Sequence, residues 1–499
     1  MSRSRGETVD VIADVRLTGP GRTDPFGAET VDVHLARGMI VDIAPAGALP
    51  RRGAVLDGAG GWLLPGMWDH HVHTVQWALA ARRVVLEGAR SAAEAVSRMA
   101  ASPVGEDGRR VGSGFRDALW PDRPDLAMLD AATGEVPTYL INADVHSVWL
   151  NSAALRREGM RAAEGILREE PAFEISRRLN ALVVDLADAA VIEATRTASS
   201  RGIVGIVDLD MAWNAEAWAR RLARGFDAVR VSFGVYASLL ERAIGAGLQT
   251  GDAIDSAGLV RMGPFKVITD GSLGTRTAAC SHHYPGRAAD FGVMTVPPAD
   301  LTALMRRATA AGISCAVHAI GDVANSHALD AFAATGATGT IEHAQLVAHA
   351  DIPRFARLGV SASVQPAHAV DDRDMAEEYW AGQTAVAYPL RELADAGANL
   401  VFGSDAPVAA LDPWATMAAA VFRTGDGREP WRAHQRLGAA TALAASTADG
   451  SHAGSALAPG DTADVIVVDR DPLAAATPED LRSTAVAATL IGGRLTHRA

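Results

Sequence analysis

The sequence predicts a (β/α)8 barrel, with a small composite β-sandwich built from both chain ends and an insertion between the first two barrel strands. Three observations carry this prediction. A unit of helical stretch, glycine and short apolar strand recurs through the middle of the chain. Most of those strands end in polar residues. The two ends of the chain share an alternating, turn-rich pattern that the middle lacks.

The recurring unit is plain at ASSRG before Ile203–Asp208, ATAAG before Ile313–His318, FARLG before Val360–Gln365 and LADAG before Ala398–Asp405. Gly202, Gly312, Gly359 and Gly397 stand where a helix end calls for a left-handed residue. The strands that follow are almost wholly apolar, as parallel strands buried on both faces must be. Further strands fit Ala228–Tyr236, Leu259–Thr269 and Gly339–His343, and Leu63–His73 makes eight. A doubly wound sheet is the alternative. No G-x-G-x-x-G follows a first strand, and the polar residues cluster at C-terminal strand ends, where barrel enzymes place their chemistry. The barrel covers 63–446, longer than the roughly 250 residues typical of the fold. The surplus falls at 80–195, an insertion over the barrel mouth.

Residues 1–62 and 447–499 form the composite sandwich. Segments such as TVDVIADVRLTG and DTADVIVVDRDP alternate, while GMIVDI and the terminal GGRL mark hairpins. A net charge of -13 argues against nucleic acid or an anionic membrane as partner. No apolar run reaches the roughly 18 residues needed to span a bilayer. Cys280 and Cys315 make no disulfide framework, and the first residues lack the apolar core of an export signal, so a cytoplasmic location is expected.

The chemistry starts at PGMWDHHVHT (65–74). Side chains on a strand alternate faces, so His71 and His73 point the same way and can grip one metal ion, while His70 points away and packs. Other strand ends supply partners: Lys266 inside FKVITD, His318 in VHAIGD, His343 in IEHAQ and Asp405 in GSDAPV. Neutral imidazole and carboxylate suit zinc or a similar divalent ion.

These motifs, with DVHSVWLNSAAL (144–155), FKVITDGSLGTRTA (265–278), DP at 412–413 and ADVIVVDRDP (463–472), resemble the amidohydrolase superfamily. Within it they are similar to the amidohydrolase-3 group, which includes N-substituted formamide deformylases. The resemblance spans nearly the whole chain and implies a metal-bearing barrel with a composite β-sandwich. It implies that His71, His73 and Asp405 hold one metal, that His318 and His343 hold a second, and that a carbamylated Lys266 bridges both. An ammonium beside two divalent ions would be strongly repelled. A carbamate, with Asp405 and a hydroxide, leaves a net charge of about +1. The alternative is an ordinary lysine paired with Asp270 beside a single ion.

The implied activity is hydrolysis of an amide, formamide or cyclic amide C–N bond of a small molecule by metal-activated hydroxide, with Asp405 as general base and then general acid. Zinc is the expected metal, two ions per chain if Lys266 is carbamylated, and a homodimer is expected by analogy. The resemblance also points to His146, Trp149 and Asn151, and to Arg116, Asp117 and Trp120 in GFRDALW, where Phe115 replaces a tryptophan of the group's pattern. Ser272, Arg276 and Gln365 follow the fourth and seventh strands. Of these, His146, Trp149, Asp117, Arg276 and Gln365 are the substrate-binding candidates. His282 and His283 read as loop residues. Deamination of a ring is a competing reading, weakened because Gly321 stands where that chemistry wants a glutamate three residues after His318. Ester, lactone or phosphotriester hydrolysis on the same metal set is another.

Overall fold

The computed structural model describes residues 6–18, 30–105, 107–181, 184–425, 427–451 and 456–499. Eight parallel strands form one sheet in chain order: β1 (Met67–Val72), β2 (Ile203–Asp208), β3 (Arg230–Tyr236), β4 (Val260–Ile268), β5 (Cys315–Ala319), β6 (Gly339–His343), β7 (Ser361–Val364) and β8 (Leu400–Phe402). The ring closes beyond β8. Val72 bridges Ala406 in parallel, the Asp405 N–H donates to the His71 carbonyl at 2.8 Å, and the His73 N–H donates to the Ala406 carbonyl at 2.9 Å. Because every strand runs the same way, all eight C-terminal ends open on one face. Strand residues such as Ile206, Phe233, Phe265, Val317 and Ile341 are buried in one core with Leu301, Met305, Leu329 and Trp414 of the surrounding helices. The four glycines expected at helix ends all have positive φ. Gly359, at φ 64°, caps the helix Ile352–Leu358.

The expected first strand, Leu63–His73, is two strands. Trp62–Pro65 belongs to an outer sheet and Met67–Val72 to the barrel. The switch falls at Gly66, where a Cβ would sit 2.3 Å from Val204 Cγ1, so β2 leaves room for glycine alone. Trp62–Pro65 also joins the two chain ends. It pairs in parallel with Val11–Leu17 and antiparallel with Val465–Val468. The hairpins read from GMIVDI and GGRL are present as Val31–Ala36 with Met39–Pro45 and Val486–Ile491 with Arg494–Arg498. Val11–Leu17 changes register between Ile12 and Val15, next to Asp14 at φ 55°, and pairs with different partners on either side. The apolar faces enclose a separate core of Ile12, Val15, Val33, Leu63, Val465 and Leu490.

Between β1 and β2 the chain builds a five-stranded sheet, in the order Ile166–Arg168, Ser147–Leu150, Thr138–Asn142, Arg110–Phe115 and Val84–Val85. No helix among the described residues is long and apolar enough to cross a membrane.

Candidate metal centre at the barrel mouth

β1 delivers His71 and His73 inward, as strand alternation requires, with ring centroids 5.5 Å apart. His70 faces outward, where its Nε2–H donates to the Thr447 carbonyl at 2.9 Å and its ring stacks on Trp68. Asp405, just past β8, places Oδ1 3.4 Å from His71 Nε2 and 3.3 Å from His73 Nε2. Asp69 ties these elements together by accepting the N–H groups of His71 and Ser404. His318 ends β5 and His343 ends β6, their ring centroids 4.5 Å apart, and His343 lies 4.8 Å from His71. Lys266 on β4 is fully buried, with Nζ 3.5 Å from His71 Nε2. The six side chains read from strand ends therefore meet in one place.

The partner expected for an ordinary Lys266 is taken elsewhere. Asp270 accepts the N–H groups of Ala279, Ile320 and Gly321 at 3.0, 3.0 and 2.8 Å across its two oxygens, and lies 3.2 Å from His318 Nδ1. The other histidines are braced as well. His71 Nδ1–H donates to Glu342 at 2.7 Å, and His343 Nδ1–H donates to the Gln365 side-chain oxygen at 2.8 Å. Bracing one ring nitrogen presents the other to a metal.

Electrostatics favour ligand chemistry. Burial, helped by the Lys266 charge, pushes His71 down to about 4. Burial also lowers His318 and takes His343 well below the usual imidazole range. Burial lowers Lys266 to about 8, outweighing the nearby Glu342 and Asp405 carboxylates. For Asp405 burial works the other way, but the surrounding His71, His73 and His343 outweigh it and hold the carboxyl well below its usual range. Buried neutral imidazoles around an ionised carboxylate are a donor set for a divalent ion.

A cleft opens above this group, lined by residues that include His146, His318, His343, His368 and Asp405. His318 Nε2, His368 Nε2 and Asp405 Oδ1 are buried without a hydrogen-bond partner. Unpartnered imidazole and carboxylate atoms converging on one space fit a divalent metal. Two buried trios bring their ligand atoms within 4.8 Å of one another: His71, His73 and Asp405, and His343, His368 and Asp405.

The insertion forms the opposite wall. His146 lines the cleft, and its Nδ1–H donates to Glu169 at 2.8 Å. Burial opposes a charge on His146, but Glu169 overcomes it and lifts the imidazole to about 9. Burial likewise opposes ionisation of Glu169, yet His146 and Thr277 bring it down to about 2. Asp117 also lines the cleft and accepts from Asn142 at 2.9 Å. Ser272 lines it and donates to Asp144 at 2.8 Å. Arg116 reaches Asp372 at 3.4 Å and Asp371 at 3.6 Å on the rim.

Other candidates lie outside the cleft. Trp149 is wholly buried in the insertion's core with Leu86, Phe115 and Leu140. Asn151 caps the helix Ser152–Glu158. Trp120 donates to the Ala89 carbonyl. Arg276 packs over Tyr379, its guanidinium 4.8 Å from the ring centroid, and Gln365 acts on His343. His282 and His283 are exposed loop residues. His368, Glu169 and Glu342 went unread in the sequence. His368 alone had a signal, lying three residues beyond Gln365 in QPAHAV.

The sequence matches the amidohydrolase family over residues 54–497. It is 26% identical over 480 residues to the Arabidopsis thaliana protein LONG AFTER FAR-RED 3, covering 87% of this chain and 82% of that one. It is 25% identical over 509 residues to the N-substituted formamide deformylase of Arthrobacter pascens, covering 90% and 91%. Among solved structures, an uncharacterised metal-dependent hydrolase from Pyrococcus horikoshii OT3 superposes with a TM-score of 0.77 at 24% identity, over 93% of this chain and 98% of that one. The family match, borne on the same barrel, shows that this chain belongs to the amidohydrolase family, metal-dependent hydrolases of carbon–nitrogen bonds.

Proposed function

We propose that the protein hydrolyses the C–N bond of a small amide, formamide or cyclic amide. His71, His73 and Asp405 would hold one divalent ion, with zinc the fitting choice, and His318 and His343 a second. Lys266, as a carbamate, would bridge them. The observation that carries this reading is the convergence of these buried side chains at one barrel mouth, with His318 Nε2 and Asp405 Oδ1 left unpartnered. Lys266 suits the bridge because its amine is buried beside His71, with no ion pair to a carboxylate among the described residues. Carbamate formation joins the amine nitrogen to carbon dioxide and releases a proton.

Divalent ions held there would polarise the carbonyl and lower the pKa of water from 15.7 towards about 7. The protein's own groups do the rest. Asp405 accepts a proton from the attacking water at Oδ1 and returns it to the leaving nitrogen as the C–N bond breaks. Glu342, Gln365 and Asp270 hold the imidazoles in place. The insertion wall closes over the substrate and limits water. The formamide deformylase of Arthrobacter pascens supports N-substituted formamides as a first class to assay.

Deamination on the same scaffold is disfavoured by a specific contact. A Cβ at Gly321 would fall 1.9 Å from the Ala279 carbonyl oxygen, so the glutamate such chemistry wants has no room there. The test is one panel of N-formyl, N-acyl, lactone and aminopyrimidine substrates with purified, metal-analysed protein. Turnover confined to lactones or aminopyrimidines would overturn the reading.

A further inference from the structure

We propose that His368 is an additional ligand of the second cation, entering beside His343 and Asp405; this rests on the metal-dependent reading above. His368 sits on the short helix Pro366–Asp371 after β7, buried, and lines the cleft. Its Nε2 lies 4.0 Å from Asp405 Oδ2 and has no hydrogen-bond partner. Its ring is nearly parallel to that of His343, 14° between planes and 6.3 Å between centroids. Both rings thus offer an edge to the same carboxylate, and with it form one of the two trios whose ligand atoms lie within 4.8 Å. His318 belongs to neither trio.

The bracing of His368 matches that of its neighbours. His71 is held at Nδ1 by Glu342, and His343 by Gln365. His368 Nδ1 lies 3.3 Å from the Gln345 amide. The other end of that amide meets Tyr388 Oη at 3.3 Å, and Tyr388 also lies 2.9 Å from an Asp372 oxygen. Tyr388 has one hydrogen, which the acceptor-only carboxylate takes, so its oxygen can accept from a Gln345 amide turned through 180°, with NH2 towards Tyr388 and carbonyl towards His368, whose Nδ1–H then donates. The Nε2 lone pair is left open towards Asp405, as in a metal-bound histidine. Two of the residues involved also carry backbone strain: His343 at φ 75° and Asp405 at φ 58° hold left-handed conformations that cost energy at a non-glycine residue.

The test is titration of the metal-free, full-length protein with Co2+, following equivalents bound by equilibrium dialysis and the visible ligand-field spectrum. The wild type is expected to bind two ions. His368→Ala is expected to weaken the second at least tenfold and alter its spectrum while the first is kept, and the exposed His282→Ala variant should match the wild type. Should His368→Ala fail to fold, anomalous scattering from wild-type crystals grown with Co2+ gives the answer without it. A peak about 2.0–2.2 Å from His368 Nε2 supports the assignment, and none within bonding reach overturns it. Unchanged affinity and spectrum in His368→Ala, with a raised KM, would also overturn it and place His368 on the substrate. A wild type that binds no cation would instead overturn the metal-dependent reading itself.

Discussion

The floor and the wall of one cleft treat the same residue type in opposite ways. On the barrel floor, burial drives His71 down to about 4 and His343 well below the usual range, so those imidazoles are neutral and open to a metal. On the insertion wall, His146 is just as enclosed yet rises to about 9. Both His71 and His146 touch a glutamate. The difference is the company: Lys266 stands beside His71, whereas Asp144 and Asp405 reinforce Glu169 around His146. Burial alone does not decide a histidine's charge; the sum of its neighbours does. Under the proposed function, the floor binds and activates while the wall holds and chooses.

If that division is right, floor variants should stop turnover and wall variants should only shift substrate affinity. The largest effect belongs to Asp405→Asn. The change keeps shape but removes the proton acceptor, so kcat should fall about 10²–10⁴-fold while circular dichroism stays native. Wild-type turnover in a folded, metal-loaded variant would refute the role. Next comes chelation, which should remove most of the activity and lower the melting temperature, both restored by a divalent ion. Zinc analysis of active protein then separates the two floor arrangements, since a single equivalent per chain would rule out the Lys266 bridge.

The floor was legible in the sequence, whereas the pairings that build the wall were not, for a physical reason. Strands buried on both faces are nearly all apolar, so a lone His, Lys or Asp at a strand end announces itself; β1, β5, β6 and the turn after β8 did so. The wall depends on pairings between distant segments. Glu169 reaches His146 only because Ile166–Arg168 lies antiparallel to Ser147–Leu150, with Arg168 opposite Ser147. Trp149 illustrates the limit. It lies three residues beyond His146, an odd step along extended chain that turns it to the opposite side, into the insertion's core. His368 escaped because it rides a six-residue helix whose placement depends on the whole barrel.

On the wall, Glu169→Gln sharpens the comparison. Hydrogen bonds to charged groups contribute ~1.5–3 kcal/mol, so kcat/KM should fall roughly tenfold or more, mostly through KM, with metal content unchanged. The pair also predicts a pH window for stability. His146 is raised from 6.5, so its contribution is full below 6.5 and is lost as pH rises through about 9. Glu169 is lowered from 4.5, so its contribution is full above 4.5 and is lost as pH falls through about 2. The melting-temperature gap between wild type and Glu169→Gln should therefore be widest between pH 4.5 and 6.5. Loss of metal in this variant would break the division of labour.

The smallest effect is expected at the rim. Arg116 is about one-third exposed and faces Asp371 and Asp372 at 3.6 and 3.4 Å, distances that water and salt screen well. Such pairs contribute ~0–1 kcal/mol, so Arg116→Ala should change KM less than about fivefold and leave kcat and metal content alone. Its salt dependence carries the information. If Arg116 only orients the rim, raising ionic strength should shrink the difference between variant and wild type towards nothing. If the difference persists in high salt, Arg116 touches the substrate, most simply a carboxylate or carbonyl, and the selecting wall extends outward to the rim.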